Sequence, residues 1–320
     1  MPCYYPVPCG ISKFEKRADT GKGLLYYYLK VPQNSKNFEA VTIPCGRCIG
    51  CRLEKSRQTA IRCVHESSLY ENNCFITLTY DDEHLPSDGS LKREHFQDFM
   101  KRLRDYVLRY CDNPAHVLDE QDGQAKRVSD CCRIRFLAAG EYGDNLGRPH
   151  YHALIFNYDF PDREFFTIQN GFNLFRSKIL EKLWSYGYSL IGDVSFESAA
   201  YVARYVMKKV TGENADYYYE GRIPEFSLRS LKPGIGAPWL ERYKASVYPD
   251  DVVSVRGGVR CKPPRYYDTK LNLTNPELYE RIKSKRKEFA SKSSHNTVER
   301  LAVRRRIKEA QLKMLKRRLN

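Results

Sequence analysis

The sequence predicts an α+β fold in which an antiparallel sheet carries helices packed on one of its faces. Between residues 74 and 196, segments suited to strands and helices follow one another in the order strand, helix, strand, strand, helix, strand. That order is the ferredoxin-like or RRM-like split arrangement, in which the first and third strands are central neighbours. We therefore expect residues 74–80 to pair with residues 149–157.

Each of the six segments is predicted from its composition and periodicity. β-Branched and aromatic residues bounded by turn residues predict strands, whereas apolar residues recurring every three or four positions predict helices. The strands are expected at Cys74–Tyr80, Arg133–Ala139, Pro149–Asn157 and Tyr188–Phe196, and the helices at Lys92–Tyr110 and Phe175–Tyr186.

Flanking regions divide the chain into four parts. A Cys-rich extension with short strands is expected at residues 1–70, and it ends in a helix at Arg52–Tyr70. The sheet domain is expected at residues 71–215. An accessory region that we predict to be irregular follows at residues 216–275, and a basic helical tail at residues 276–320.

Positive charge is concentrated in the tail. Of the formal net charge of +15, residues 281–320 contribute +12, from 15 Lys and Arg against 3 Asp and Glu. A polyanionic partner is expected, and nucleic acid is favoured over a membrane because no apolar run approaches the ~18 residues that a spanning helix needs. The first residues lack the features of a secretory signal, so we expect a cytosolic protein whose 11 cysteines are reduced thiols, metal ligands or core residues.

A candidate metal site lies between Glu141 and Phe156. His150 and His152 are separated by one residue on a predicted strand, so both side chains leave the same face, about 7 Å apart. The turn residues before them predict a hairpin that brings Glu141 alongside. Two imidazoles and one carboxylate with open positions suit a catalytic divalent ion better than a closed structural one. The alternative is that the histidines only cap a hydrogen-bond network.

A second candidate is a group of three thiols. Cys45, Cys48 and Cys51 are separated by two residues each, on a turn-prone backbone that can wrap them round one structural zinc ion. The nearest candidates for the fourth ligand are Cys3, Cys9, Cys63 and His65. The alternative is a group of cysteines with no ligand.

The third candidate is a helix that we expect to begin with Ser198 as its N-cap. Tyr201 and Tyr205 lie four residues apart and therefore on one helix face, with Lys208 three residues further on. A tyrosine can attack phosphorus and remain as a phosphodiester link, provided that a cation polarises the phosphate. The alternative is core packing of both rings, since the chain has 24 tyrosines.

The motifs, in this order, resemble those of a known family. Thr-Leu-Thr-Tyr at 77–80, Arg-Pro-His-Tyr-His at 148–152 and Tyr-Val-Ala-Arg-Tyr-Val-Met-Lys at 201–208 resemble the three motifs of the rolling-circle replication initiators known as HUH endonucleases. The paired tyrosines, together with Pro-Cys-Gly-Arg-Cys-Ile-Gly-Cys at 44–51, look most like the microvirus group, in particular the gokushovirus replication proteins.

This resemblance implies an HUH endonuclease fold and a metal-dependent DNA nickase and strand transferase. One tyrosine would cut the origin of a single-stranded DNA phage genome, leaving a 3′ hydroxyl and a 5′-phosphotyrosine link, and the other would later cut the regenerated origin so that the first strand closes into a circle. Mg²⁺ or Mn²⁺ is implied at Glu141, His150 and His152, with Lys208 positioning phosphate or metal. The chain contains no P-loop motif, so a host helicase and a host polymerase are the implied partners, in the host cytoplasm.

Three other functions fit parts of the pattern. A non-enzymatic, zinc-containing nucleic-acid-binding protein would use the sheet and the tail without a catalytic ion. A single-tyrosine transposase or relaxase would keep both histidines, but the tyrosine pair with Arg204 and Lys208 favours the phage initiator. A phosphodiesterase that activates water would leave no covalent link between protein and DNA.

Overall fold

A computed structural model describes residues 3–16, 18, 23–27, 36–111, 130–143, 146–205, 215–248 and 250–314. These residues form two compact units, the first from residues up to 55 and from 284 onward, the second from residues 56–283. None of the helices in these ranges is both long enough and apolar enough to cross a membrane.

Helices and strands follow one another in three stretches of the chain. The N-terminal stretch contains β1 (Val7–Lys16), β2 (Gly23–Tyr27), β3 (Phe38–Ile43) and α1 (Ile49–Ser67). The central stretch contains β4 (Asn73–Tyr80), α2 (Arg93–Arg109), β5 (Arg135–Tyr142), β6 (Pro149–Phe156), β7 (Glu164–Gln169), β8 (Phe172–Arg176), α3 (Lys178–Leu183), β9 (Gly187–Asp193) and α4 (Phe196–Tyr205). The C-terminal stretch contains α5 (Ala215–Tyr219), β10 (Phe226–Arg229), α6 (Ala237–Val247), β11 (Val253–Val255), β12 (Val259–Cys261), α7 (Arg265–Thr274), α8 (Pro276–Ser291) and α9 (Val298–Met314).

The second unit is built on an antiparallel sheet of seven strands with the order β10-β5-β6-β4-β9-β8-β7. Strand β4 pairs with β6 on one side and with β9 on the other. The predicted pairing of the first and third segments is therefore confirmed. The helix predicted at Lys92–Tyr110 is also confirmed as α2, in which Phe96, Phe99, Met100 and Leu103 are buried, whereas Tyr110 is exposed.

Helices pack on both faces of this sheet, so the prediction of helices on one face is wrong. On one face Ile76 and Leu78 of β4 pack with α2 and α3. On the other face Phe75 of β4 and Leu154 of β6 pack with α4 and with the second half of α1. The physical reason is that neighbouring residues of the central strands, such as Leu154 and Ile155, are both apolar. A strand that is apolar on both faces needs a covering layer on each side.

A hairpin formed by β7 and β8 is inserted into the predicted order of elements. Its turn is Asn170-Gly171, whose φ angles of 53° and 83° lie in the left-handed region. Asn-Gly between apolar runs is the strongest short hairpin signal, so the sequence did contain it. The hairpin also shortens the helix predicted at Phe175–Tyr186, because Phe175 belongs to β8 and the Ser177 side chain caps α3.

The region at residues 216–275 contains regular structure, so the prediction that it is irregular is wrong. Strand β10 extends the large sheet, and α6 and α7 pack with α1 around a third apolar cluster. Its buried members are Ile61, Leu240, Val247, Tyr248, Val253, Tyr267, Leu271 and Ile282. Several of the Gly and Pro residues that suggested irregular structure begin helices. Gly236 is the N-cap of α6, with Pro238 in its first turn, and Pro264 is the N-cap of α7.

The first unit contains a three-stranded antiparallel sheet with the order β2-β1-β3. Strand β1 runs for 10 residues and is longer than the short strands predicted for this part of the chain. The tail predicted to be helical contains α8 and α9. Leu301 is the buried residue of α9, so the basic side chains of this helix are largely in contact with solvent.

Candidate functional site

Glu141, His150 and His152 meet on the face of the large sheet that carries α4. The pairing of β5 with β6 sets Glu141 opposite His150, and the pairing of β4 with β6 sets Thr77 opposite His152. The Oε1 atom of Glu141 lies 2.7 Å from Nε2 of His150 and 3.1 Å from Nε2 of His152. The structure thus brings together the three residues of the predicted metal site, which we refer to as the triad.

Protein groups hold the other ring nitrogen of each histidine. Nδ1 of His150 lies 3.1 Å from the backbone carbonyl oxygen of Arg148, and Nδ1 of His152 lies 2.9 Å from the hydroxyl oxygen of Thr77. A carbonyl oxygen can only accept a hydrogen bond, so Nδ1 of His150 carries its proton. In the neutral form of this ring, Nε2 presents its lone pair to Glu141. Two acceptors 2.7 Å apart repel each other unless a proton or a cation lies between them.

A divalent cation fits this set of ligands. Oxygen and nitrogen ligands about 2.1 Å from one octahedral ion are about 3.0 Å apart. The observed separations of 2.7 and 3.1 Å are close to that value. Holding the outer nitrogen is also the common way in which proteins orient a metal-binding imidazole. Three protein ligands leave coordination positions for water or a substrate.

The carboxylate of Glu141 keeps its charge although its side chain is only 2 % exposed. Burial raises the pKa of this carboxyl group, but the hydrogen bonds and charges of His150 and His152 lower it more, so its pKa lies below the ordinary value. The ionised form is the one that binds a cation.

Helix α4 begins with a capping box that precedes the predicted start. The Ser195 hydroxyl accepts a hydrogen bond from the Ser198 backbone N–H (3.0 Å), and the Ser198 hydroxyl accepts one from the Ser195 backbone N–H (2.8 Å). The N-cap is therefore Ser195, and the prediction of Ser198 as N-cap is wrong. Ser198 occupies the third helical position, where its side chain reaches back to the cap.

Tyr201 faces the triad from α4. Ala199 and Val202 of this helix are buried against the sheet, which turns Tyr201 toward the site. The centroid of the Tyr201 ring lies 5.1 Å from that of His152. Tyr205 ends α4 with its side chain outside the described part of the chain, and Lys208 also lies outside the described residues.

A cleft of about 470 Å³ contains both the triad and Tyr201. Its floor is formed by β4, β5 and β6, and the β7–β8 hairpin with β9 contributes further lining residues, among them Asn170 and Phe172. Thr77 and Arg148 also line it, and the Arg148 guanidinium donates to the carboxylate of Asp82 (2.6 Å). The hairpin residues were missed, although the Asn-Gly turn could have revealed them. Arg148 begins the Arg-Pro-His-Tyr-His motif, and this position two residues before His150 is the signal that could have marked it as a lining residue.

The three clustered thiols are joined by Cys3 in the first unit. The Sγ atoms of the four residues lie within 4.8 Å of one another; they are Cys3, Cys45, Cys48 and Cys51. The other candidates for the fourth ligand have different surroundings. Cys9 donates through Sγ to the Val7 carbonyl, and Cys63 is buried in the apolar core of the second unit. His65 stacks on Trp239 with ring centroids 3.5 Å apart, and burial lowers the pKa of His65 to about 4.

Comparison with known proteins identifies related sequences. A family profile described as replication-associated protein ORF2/G2P matches residues 73–210, which include the triad and Tyr201. The chain is 33 % identical over 300 residues to the replication-associated protein VP4 of Bdellovibrio phage phiMH2K, covering 92 % of this chain and 86 % of that protein. It is 34 % identical over 263 residues to the replication-associated protein ORF2 of Spiroplasma virus 4, covering 79 % and 75 %.

A third relative is matched over a shorter length. The chain is 33 % identical over 172 residues to the replication-associated protein ORF4 of Chlamydia phage 1, covering 52 % of this chain and 38 % of that protein. No solved structure matches the chain significantly.

Proposed function

We propose a function for this chain on the basis of its family. The chain belongs to the phage replication-associated proteins. A role in the replication of a single-stranded DNA phage follows from that membership. The chain nicks one strand of the viral origin, begins rolling-circle replication and later ends it by rejoining the strand. One observation carries this proposal, namely that Tyr201 and a set of metal ligands face the same cleft.

The topology supports an HUH endonuclease fold. The four central strands have the order β5-β6-β4-β9, which is that of the ferredoxin-like arrangement when they are numbered along the chain. The triad lies on two neighbouring central strands, and α4 follows the last of the four. The site therefore combines rigid strands for the metal ligands with a separate helix for the nucleophile.

The residues of the cleft have different roles in the proposed reaction. Glu141, His150 and His152 hold Mg²⁺ or Mn²⁺, which polarises the scissile phosphate when it is bound. The phenol oxygen of Tyr201 bonds to phosphorus as the bond from phosphorus to the 3′ oxygen breaks. The phenol loses its proton and the departing 3′ oxygen gains one. The products are a 5′-phosphotyrosine link and a free 3′ hydroxyl, which a host polymerase extends.

Tyr205 and Lys208 complete the proposal. Tyr205 makes the second cut, at the regenerated origin, so that the released 3′ hydroxyl can attack the first phosphotyrosine and close the circle. Lys208 positions the phosphate or the metal. A host helicase separates the strands in the host cytoplasm, and the basic tail binds DNA phosphates.

The test is covalent adduct formation on the circular single-stranded DNA that encodes the chain, in the presence of Mn²⁺. Wild type should yield a phenol-stable complex of protein with a DNA 5′ end, and Tyr201→Phe combined with Tyr205→Phe should yield none. Tyr217→Phe, which changes a highly exposed tyrosine of α5, serves as the control. An adduct that persists in the double variant would exclude both tyrosines as nucleophiles.

The same assay separates the other candidate functions. A single-tyrosine enzyme would lose all activity in one of the variants Tyr201→Phe and Tyr205→Phe. It would keep full activity in the other. A phosphodiesterase that activates water would cut without any adduct. A non-enzymatic, zinc-containing nucleic-acid-binding protein would bind the DNA and leave it intact.

A further inference from the structure

The group formed by Cys3, Cys45, Cys48 and Cys51 belongs to the first unit, shares no residue with the cleft and has no part in the proposed nicking reaction. The Cys45 and Cys51 Sγ atoms are 4.0 Å apart, as are those of Cys3 and Cys48. Four sulfurs about 2.3 Å from one tetrahedral zinc ion are about 3.8 Å apart. The sulfurs are therefore spaced as the ligands of a single ion.

Backbone N–H groups point at three of these sulfurs. The Tyr4 N–H points to the Cys48 Sγ, the Cys45 N–H to the Cys3 Sγ and the Cys48 N–H to the Cys45 Sγ, each at 3.3 Å. The thiolate is the form of cysteine that binds metal, and N–H groups in these positions can donate to metal-bound sulfur. Gly46 lies between the first two clustered ligands with a φ angle of 75°, which allows the chain to turn tightly there.

We propose that Cys3, Cys45, Cys48 and Cys51 bind one structural Zn²⁺ ion. Binding replaces the thiol protons, and four protein ligands leave no open position, as is usual for structural zinc. Soft sulfur ligands select zinc over the Mg²⁺ or Mn²⁺ of the triad. The ion links Cys3 to residues 45–51 and so fixes the N-terminal segment next to β1.

The fixed segment carries a contact to the basic helix of the same unit. The guanidinium of Arg305 in α9 lies 5.3 Å from the centroid of the Tyr5 ring, a cation–π contact two residues away from Cys3. Helix α9 buries little apolar surface of its own, so this contact depends on the position of the N-terminal segment. Zinc is therefore expected to order both the segment and α9.

The experiment measures zinc and cobalt in the full-length protein. Wild type should contain about one zinc per chain after dialysis against a weak chelator. The cobalt-substituted protein should show the intense sulfur-to-metal absorption of a tetrathiolate site. Cys48→Ser should lose both signals, whereas Cys131→Ser, which changes the separate group of Cys111, Cys131 and Cys132, should keep them.

Hydrogen exchange provides the structural readout. Removal of zinc should speed amide exchange at least tenfold in residues 3–16 and 298–314. The cobalt spectrum of the wild type decides the question even if Cys48→Ser fails to fold. A wild type without zinc or cobalt absorption, or a mass showing disulfides among these cysteines, would overturn the proposal. His152→Ala should keep the cobalt absorption, so failure of the nicking proposal and failure of the zinc proposal are distinguishable.

Discussion

The triad and the group formed by Cys3, Cys45, Cys48 and Cys51, here called the Cys3 group, both bring together potential metal ligands, but the ligands differ in chemistry and number. The triad has three ligands with nitrogen and oxygen donors and opens on a cleft that also contains Tyr201. The Cys3 group has four sulfur donors, and no further position is left on a tetrahedral ion. An open site can act on a substrate, whereas a closed site can only hold the chain together. The difference fits the two separate purposes that we propose, catalysis at the triad and structure at the Cys3 group.

Removal of a triad ligand should have the largest effect and should affect only cleavage. We expect His152→Ala to lower the rate of DNA cleavage by more than about 100-fold, because loss of a ligand should cost at least as much as loss of an outer-shell partner. Affinity for DNA, measured by fluorescence anisotropy at fixed salt, should change less than threefold. His84→Ala is the control, since His84 is exposed and bonds to Asp81. Equal losses in cleavage and binding would contradict a role restricted to chemistry.

Loss of the hydroxyl that orients His152 should have a smaller effect. Thr77→Val removes the partner of Nδ1 while it keeps the shape of the side chain, and we expect cleavage to fall about 10–100-fold. The concentration of Mn²⁺ needed for half-maximal activity should rise, and Thr77→Ser should restore it. Thr269→Val, in which the lost partner is the Arg265 carbonyl in α7, is the control. An unchanged requirement for metal would mean that Thr77 does not position a ligand.

The sequence was informative where ligands are close together in the chain. Cys45, Cys48 and Cys51 lie within seven residues, and β-strand alternation places His150 and His152 on one face. The turn between Glu141 and His150 was also readable, and the pairing of these two residues confirms the predicted hairpin.

Long-range packing was not readable from the sequence. The choice of Cys3 over Cys9, Cys63 and His65 depends on the fold, because cysteine and histidine side chains can both bind zinc. The second layer of helices was missed because the apolar runs of β4 and β6 do not say which helix covers which face. The β7–β8 hairpin is different, since its Asn-Gly turn is a local signal that was overlooked.

His65 was a candidate zinc ligand, but it belongs to neither the triad nor the Cys3 group. The pH dependence of stability can test whether it is instead a buried, neutral core residue. Burial lowers the pKa of His65 to about 4, so between pH 6.5 and 4 the unfolded chain binds a proton that the folded chain excludes. The stability due to neutral His65 is therefore complete above pH 6.5 and decreases by on the order of 3 kcal/mol as the pH falls to 4. Urea unfolding of wild type and His65→Gln between pH 7 and 5 measures it. Zinc content that depended on His65 would contradict the assignment.

The smallest effect is expected from loss of the α4 cap, which affects the helix that carries the proposed nucleophile Tyr201 but not the strands that carry the triad. The triad belongs to paired strands, whereas Tyr201 depends on where α4 begins. Ser195→Ala removes one half of the capping box and should cost about 1 kcal/mol, a fall of about 2–4 °C in Tm for a unit of this size. Ser87→Ala, at an exposed turn, should leave Tm unchanged. Adduct formation should weaken while the half-maximal Mn²⁺ concentration stays constant, because the ligands themselves do not move. A shift in that concentration would mean that α4 and the triad are not independent.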